Sequence, residues 1–124
     1  MIVGVGTDIV KIDRVKKIID RTPAFVSKCF TDKEKDYINS KAKKAQTVAG
    51  FFACKEAVSK ALGTGFTGFR LKDIEIYHSE YGGPKVELSS KIIDKFGLNH
   101  YLVHISISHS NEDAIAFAIL ERRE

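Results

Sequence analysis

The stretch Val48–Leu62, VAGFFACKEAVSKAL, constrains this chain more than any other. Its spacing predicts one helix of about four turns, at ~3.6 residues per turn. Val48, Phe51, Phe52, Val58 and Leu62 share a wide face, and Ala53, Cys54, Ala57 and Ala61 make a small-residue face opposite. Such a helix is expected to be buried, with close neighbours on both sides. Yet it carries three charges. At ~100° per residue, Lys55 projects from the middle of the large apolar face, Glu56 lies at its edge beside Phe52, and Lys60 lies one turn on from Glu56. Buried charges are costly unless paired or ligated, so the helix is a candidate site. The plainer reading is an ordinary i, i+4 pair between Glu56 and Lys60, worth about 0.2–0.5 kcal/mol, with Lys55 stretched along the phenylalanines toward water.

The glycine loop immediately after the helix weakens the plainer reading. Gly63-Thr64-Gly65-Phe66-Thr67-Gly68 packs three glycines into six residues, leaving backbone N–H groups free to approach an anion. The string fits G-x-G-x-x-G. A dinucleotide loop, however, runs from a strand into a helix, and this one leaves a helix, so that fingerprint is rejected. Gly63 is expected as the helix C-cap.

The flanking chain supplies the rest of an α+β fold, a small, mainly antiparallel sheet packed on the central helix. Ile2–Val10 reads as a strand, with Gly4 and Gly6 permitting close backbone approach and Asp8 near its end. Lys11–Arg21 turns helical. Ile12, Val15, Ile18 and Ile19 point inward, and Lys11, Arg14, Lys17 and Arg21 form a positive stripe opposite. That stripe is either a solvated face or a surface for an acidic helix or a phosphate backbone. Phe25–Phe30 is a short amphipathic piece with Lys28 exposed. Thr31 and Glu34 then spell a capping box that opens a charged helix to about Lys44, while Ala45–Thr47 either break it or join the central helix. Leu71–His78 and Lys85–Leu88 are strands about a Tyr81-Gly82-Gly83-Pro84 turn, Ser89–Phe96 is a helix closed by Gly97, and Tyr101–His109 and Ala114–Leu120 are strands again.

Composition narrows the class. The 124 residues are expected to form one domain, with no apolar run near the ~20 residues of a membrane span. The opening MIVGVGTDIV lacks a basic n-region, and Cys29 and Cys54 fit no metal spacing, which points to reduced thiols in a cytoplasmic protein. A net charge of +4 favours a polyanionic partner.

Asp8 at a strand end and Glu56 on a buried helix, if they converge, make an oxygen site for a hard divalent cation such as Mg²⁺. Zinc is not expected, since no His/Cys cluster has the spacing. Lys60 would neutralise a phosphate oxygen, and His109, at the start of a tight turn, would donate to a phosphate or titrate near neutral pH. A solvated turn histidine is the alternative.

Several stretches together resemble the holo-acyl-carrier-protein synthase family of small bacterial 4'-phosphopantetheinyl transferases. They are Gly4-Val5-Gly6-Thr7-Asp8 with Arg14 after it, Phe52-x-x-Lys55-Glu56-Ala57-x-x-Lys60-Ala61-Leu62-Gly63-Thr64-Gly65, Gly82-x-Pro84, and Ser106-Ile107-Ser108-His109-Ser110. The resemblance implies transfer of phosphopantetheine from coenzyme A to a serine of apo acyl carrier protein, with release of 3',5'-ADP. It implies Mg²⁺ or Mn²⁺ held by Asp8 and Glu56, with Glu56, directly or through a water on the metal, the candidate to deprotonate the serine. It further implies phosphate contact by Lys60 and a coenzyme site lined by Gly63, Thr64, His109 and Ser110. Arg14, Arg21 and, more weakly, Lys28 would dock the acidic carrier protein. Family members are homotrimers with sites between subunits. Many relatives have Gly-Arg-Phe where this chain has Gly50-Phe51-Phe52. Phe51 cannot reach a coenzyme phosphate, so weaker recognition of that phosphate is expected, or its replacement by Lys43 or Lys44. The rival readings are a nucleic-acid-binding module using the basic stripe and a regulator that binds coenzyme A without chemistry. The strands lack the interleaved aromatics that base stacking uses, so nucleic acid is not expected as a partner, and without a long apolar run neither is a membrane. Every matched polar position is intact, which weighs against the regulator.

Overall fold

Two glycines decide how this chain folds around its central helix. The computed structural model describes residues 1–63 and 68–123. Strand β1, Ile2–Lys11, lies across helix α4, Lys44–Leu62. A Cβ placed on Gly4 would run into the Ala61 carbonyl oxygen, and one on Gly6 into that of Ala57. Backbone therefore meets backbone where β1 crosses the small face of α4. Strand β5, Asp113–Arg122, pairs antiparallel with β1 and with β4, Tyr101–His109, giving the order β1-β5-β4. Its alanines 114, 116 and 118 are buried against α4, while Ile115 and Phe117 project from the other side. Over residues 114–118 the small side chains thus face the core and the large ones face out.

The large face of α4 is covered by the remaining elements. These are α1, Ile12–Arg21; α2, Phe25–Cys29; α3, Asp32–Asn39; and a second antiparallel sheet of β2, Ile74–His78, and β3, Pro84–Leu88. A last helix, α5, Ser90–Phe96, is capped by Ser89 and closed by Gly97 in the left-handed conformation. The α+β expectation holds, with the strands divided between two small sheets.

Three boundaries differ from the sequence reading by three or more residues. The capping box at Thr31 and Glu34 forms, but α3 stops at Asn39 because the Ser40 hydroxyl donates to the Tyr37 carbonyl and breaks the run. Ala45–Thr47 accordingly belong to α4. Residues Leu71–Asp73 form a 3₁₀ turn before β2, because the Asp73 carboxylate accepts from the Arg70 N–H at 2.8 Å and from the Ser89 hydroxyl at 3.0 Å.

Candidate active site

Asp8 and Glu56 come together by the same close approach that fixes the fold. Gly4, Gly6 and Asp8 alternate along β1 toward α4, and Asp8 stands half-buried opposite Ala116 of β5. Glu56 lies on the flank of α4 between its large and small faces, also half-buried. One turn on, the exposed Lys60 donates to the Thr7 carbonyl at 2.9 Å and to Asp8 Oδ1 at 3.3 Å. Burial pushes the Glu56 carboxyl above its ordinary value, the neighbouring Asp8 charge adds to the shift, and Lys60 opposes it. The two carboxylates thus lie beside one lysine ammonium, which offsets their like charge only in part. An all-oxygen pair with unrelieved like charge suits a hard divalent cation that keeps water and phosphate oxygens as its other ligands.

The pair borders an open cleft of about 680 Å³ between β1, α1 and α4. Phe25 and Phe52 form its apolar wall, and Arg14 and Lys11 stand at its basic edge. The stripe on α1 therefore runs directly into the carboxylate site. Arg21 at the end of α1 and Lys28 on α2 are also exposed. Asp113, which no motif indicated, also lines this cleft, paired with Lys11 across the β1–β5 register and 4.0 Å from its ammonium. Among the described residues no group of three or more His, Cys, Asp or Glu side chains is placed to hold a metal ion, so Asp113 does not join the pair as a third ligand.

The other expected site residues lie apart from this cleft in one chain. His109, at the end of β4, is hydrogen-bonded through Nδ1 to the Gln46 side-chain amide, a partner that no motif indicated. Ser110 Oγ accepts from the N–H groups of Glu112 and Asp113, which shapes the β4–β5 turn. Gly63 is the left-handed C-cap of α4, at φ 76°. Thr64 and Gly65 lie outside the described residues.

Phe51 is held in an aromatic stack. It is 3% exposed and stacks on Tyr37 at 5.5 Å, and Tyr37 stacks in turn on His78 at 4.2 Å. With Gly82, Pro84 and His109 these rings border a smaller pocket of about 250 Å³. Lys43 and Lys44 are exposed at the start of α4, beside Ser110, around a separate cleft of about 540 Å³.

Lys55 proves to be internal. The expectation that all three charges of the central helix mark one site is corrected, because the Lys55 ammonium is fully buried against Glu34 at 2.8 Å. Cys54, also buried, has its thiol pushed up to about 12 by desolvation and is inert at neutral pH.

The sequence model of the 4'-phosphopantetheinyl transferase superfamily matches residues 4–119. A holo-[acyl-carrier-protein] synthase of Clostridium botulinum (strain Eklund 17B / Type B) is 55% identical over 121 residues, covering 98% of both chains. Among solved structures, a holo-(acyl-carrier-protein) synthase from Bacillus anthracis in complex with CoA (3',5'-ADP) is 36% identical, with a TM-score of 0.83 and 98% of each chain covered. The Helicobacter pylori holo-[acyl-carrier-protein] synthase in complex with coenzyme A is 34% identical, with a TM-score of 0.85 over 94% of this chain and 99% of that one. With this fold, and with the motif residues carried on β1 and α4, the chain belongs to the holo-[acyl-carrier-protein] synthase family of enzymes within the 4'-phosphopantetheinyl transferase superfamily.

Proposed function

We propose that this protein transfers the 4'-phosphopantetheine group of coenzyme A to a serine of apo acyl carrier protein, giving the holo carrier and 3',5'-ADP. The observation that carries the reading is the convergence of Asp8, Glu56 and Lys60 at a cleft whose edge is the basic surface of α1. In the reaction the serine Oγ bonds to the phosphorus of the pantetheine phosphate, the bridging P–O bond to the adenosine phosphate breaks, and the serine proton leaves to a base. Such a transfer is chiefly a matter of positioning and charge neutralisation. Asp8 and Glu56 would hold Mg²⁺ or Mn²⁺, which when bound supplies positive charge to the pyrophosphate. Lys60 adds a point charge beside it. Glu56, directly or through a water on the metal, would accept the serine proton.

Arg14, Arg21 and Lys28 would dock the acidic carrier, delivering its serine to the same cleft. Gly63, Thr64, His109 and Ser110 would line the coenzyme site. Lys43 or Lys44, which line a cleft with Ser110, would take the part of the missing arginine, since Phe51 is held in its aromatic stack. If removing the coenzyme's 3'-phosphate costs this protein as much affinity as an arginine-bearing relative, that replacement is supported and the weakened-contact version is wrong.

A homotrimer with sites between subunits fits two features. Val3, Val5, Ile9, Ile115 and Phe117 leave the outer face of the three-stranded sheet apolar and exposed. The carboxylate pair and His109 border different clefts of one chain, as expected where a second copy completes each site. Among the described residues no helix is long and apolar enough to cross a membrane, in keeping with a cytoplasmic enzyme. The test is chromatography of the nucleotide product after incubation with coenzyme A, Mg²⁺ and apo carrier. Release of 3',5'-ADP that requires the carrier supports the reading, and its absence from a folded sample contradicts it.

A further inference from the structure

The turn between β4 and β5 sets a carboxylate on the basic edge of the carboxylate cleft, and the proposed chemistry leaves it unused. Asp113 is the first residue of β5 and stands opposite Lys11, the last residue of β1. Its backbone is closely fixed. The Ser110 N–H donates to the Asp113 carbonyl at 2.8 Å, and the Asp113 N–H donates to Ser110 Oγ at 3.1 Å. The Ile12 N–H, at the start of α1, donates to the Glu112 carbonyl at 2.9 Å. The turn is thereby tied to the helix that carries Arg14.

The side chains are held far less tightly. Lys11 Nζ and Asp113 Oδ1 are 4.0 Å apart, the outer limit of an ion pair, and their side chains are 68% and 35% exposed. Such a pair is weak and separates readily. Both residues line the cleft that also holds Arg14, Asp8 and Glu56. Lys11 begins the basic stripe of α1, and Asp113 cancels part of its charge. A fixed carboxylate on a surface that takes an acidic partner lowers affinity for that partner and sharpens the choice among partners of different charge. Helix α1 does not use Asp113 as a cap, since no side chain caps it and its first N–H is bonded to the Glu112 carbonyl.

We propose that Lys11 is a further docking cation for the acidic carrier and that Asp113 restrains it, so that a carrier carboxylate must displace Asp113 from Lys11 in order to seat. The inference rests on the reading that the α1 surface docks the carrier.

The test measures the KM for apo carrier, at saturating coenzyme A and Mg²⁺, for wild type, Asp113→Asn, Lys11→Gln and the double variant, each at low and at high salt. At low salt Asp113→Asn should lower the carrier KM about threefold to fivefold, and Lys11→Gln should raise it by a similar factor. Both effects should shrink as salt is added. Because Asp113 acts through Lys11, replacing it should move the KM by less than about twofold once Lys11 is glutamine. A carrier KM that Asp113→Asn leaves unchanged or raises would overturn the proposal, as would a wild-type carrier KM in Lys11→Gln. An equal drop in both backgrounds would show direct repulsion of the carrier by Asp113 and overturn it too. A lower melting temperature for Asp113→Asn with no change in carrier KM would assign the carboxylate to the turn alone. A wild-type sample that transfers nothing would remove the underlying reading, whereas active wild type with an unmoved carrier KM in the variants would remove this inference alone.

Discussion

Lys55 and Lys60 of helix α4 lie five residues apart, each beside a carboxylate, and their surroundings are opposite. Lys55 and Glu34 are both 0% exposed, and each is bonded to backbone as well as to the other. Lys60 and Asp8 have side chains 53% and 20% exposed, and Glu56 adds a second negative charge to the same spot. The first arrangement is closed and balanced. The second is open and short of positive charge. A charge on an apolar helix is therefore not in itself a sign of chemistry; saturation inside the core marks scaffold, and imbalance at a cleft marks a site.

The largest effect that would sharpen this contrast is on turnover. Glu56→Gln should lower the transfer rate by about a thousandfold. It should not destabilise the metal-free protein. Because the native Glu56 carboxyl sits above its ordinary value, the folded state holds the proton more tightly than the unfolded one. Ionisation then works against folding once the pH exceeds the ordinary carboxylate range, and glutamine removes that cost. A thermal scan at neutral pH should place the variant at or above wild type, and a clear drop would break the comparison.

Lys55→Met should behave in the reverse sense, costing about 3–5 kcal/mol of stability by stranding Glu34, as read in denaturant titration. A variant as stable as wild type would show that the pair is not the closed scaffold described. Gly6→Ala comes next, at about 1–3 kcal/mol, because the added methyl must push β1 off the Ala57 carbonyl and carry Asp8 away from Glu56. Turnover should fall with it. Full activity in that variant would separate the β1–α4 contact from the site.

The smallest effect concerns the surface pair His104–Glu121, 2.8 Å apart. The hydrogen bond from His104 holds the Glu121 carboxyl below its ordinary value, so any contribution to folding is present above the usual carboxylate range and is lost as the pH falls through the depressed value. Both groups are exposed, and His104→Asn should leave the melting temperature within experimental scatter.

The sequence made the faces of α4 legible because a helical period sorts large from small residues without knowledge of neighbours. It also named Asp8 and Glu56 as candidate ligands, on condition that they converge. That condition depends on Gly4 and Gly6 admitting a helix backbone, which is a tertiary event. The pairing of Lys55 with Glu34 was hidden for another reason. Glu34 read as a capping residue, and it is one, but the same carboxylate also binds a lysine 21 residues away and the N–H of Ile76. Local grammar explained Glu34 well enough to mask its second role. The stop of α3 at Asn39 and the 3₁₀ turn before β2 come from side-chain bonds by Ser40 and Asp73, which no hydrophobic period records. The Gln46–His109 contact was invisible for the same reason as the Lys55 pair, since it joins residues far apart in the chain.

The measurement that bears most directly on the central claim is the intact mass of an apo acyl carrier protein incubated with this protein, coenzyme A and Mg²⁺, alongside EDTA and Glu56→Gln controls. A phosphopantetheine mass gain with wild type, abolished by EDTA and by Glu56→Gln, is the predicted result. No gain with several apo carriers from a folded sample, or a gain indifferent to both controls, would contradict the assignment of the Asp8–Glu56–Lys60 cluster as the metal-dependent active site.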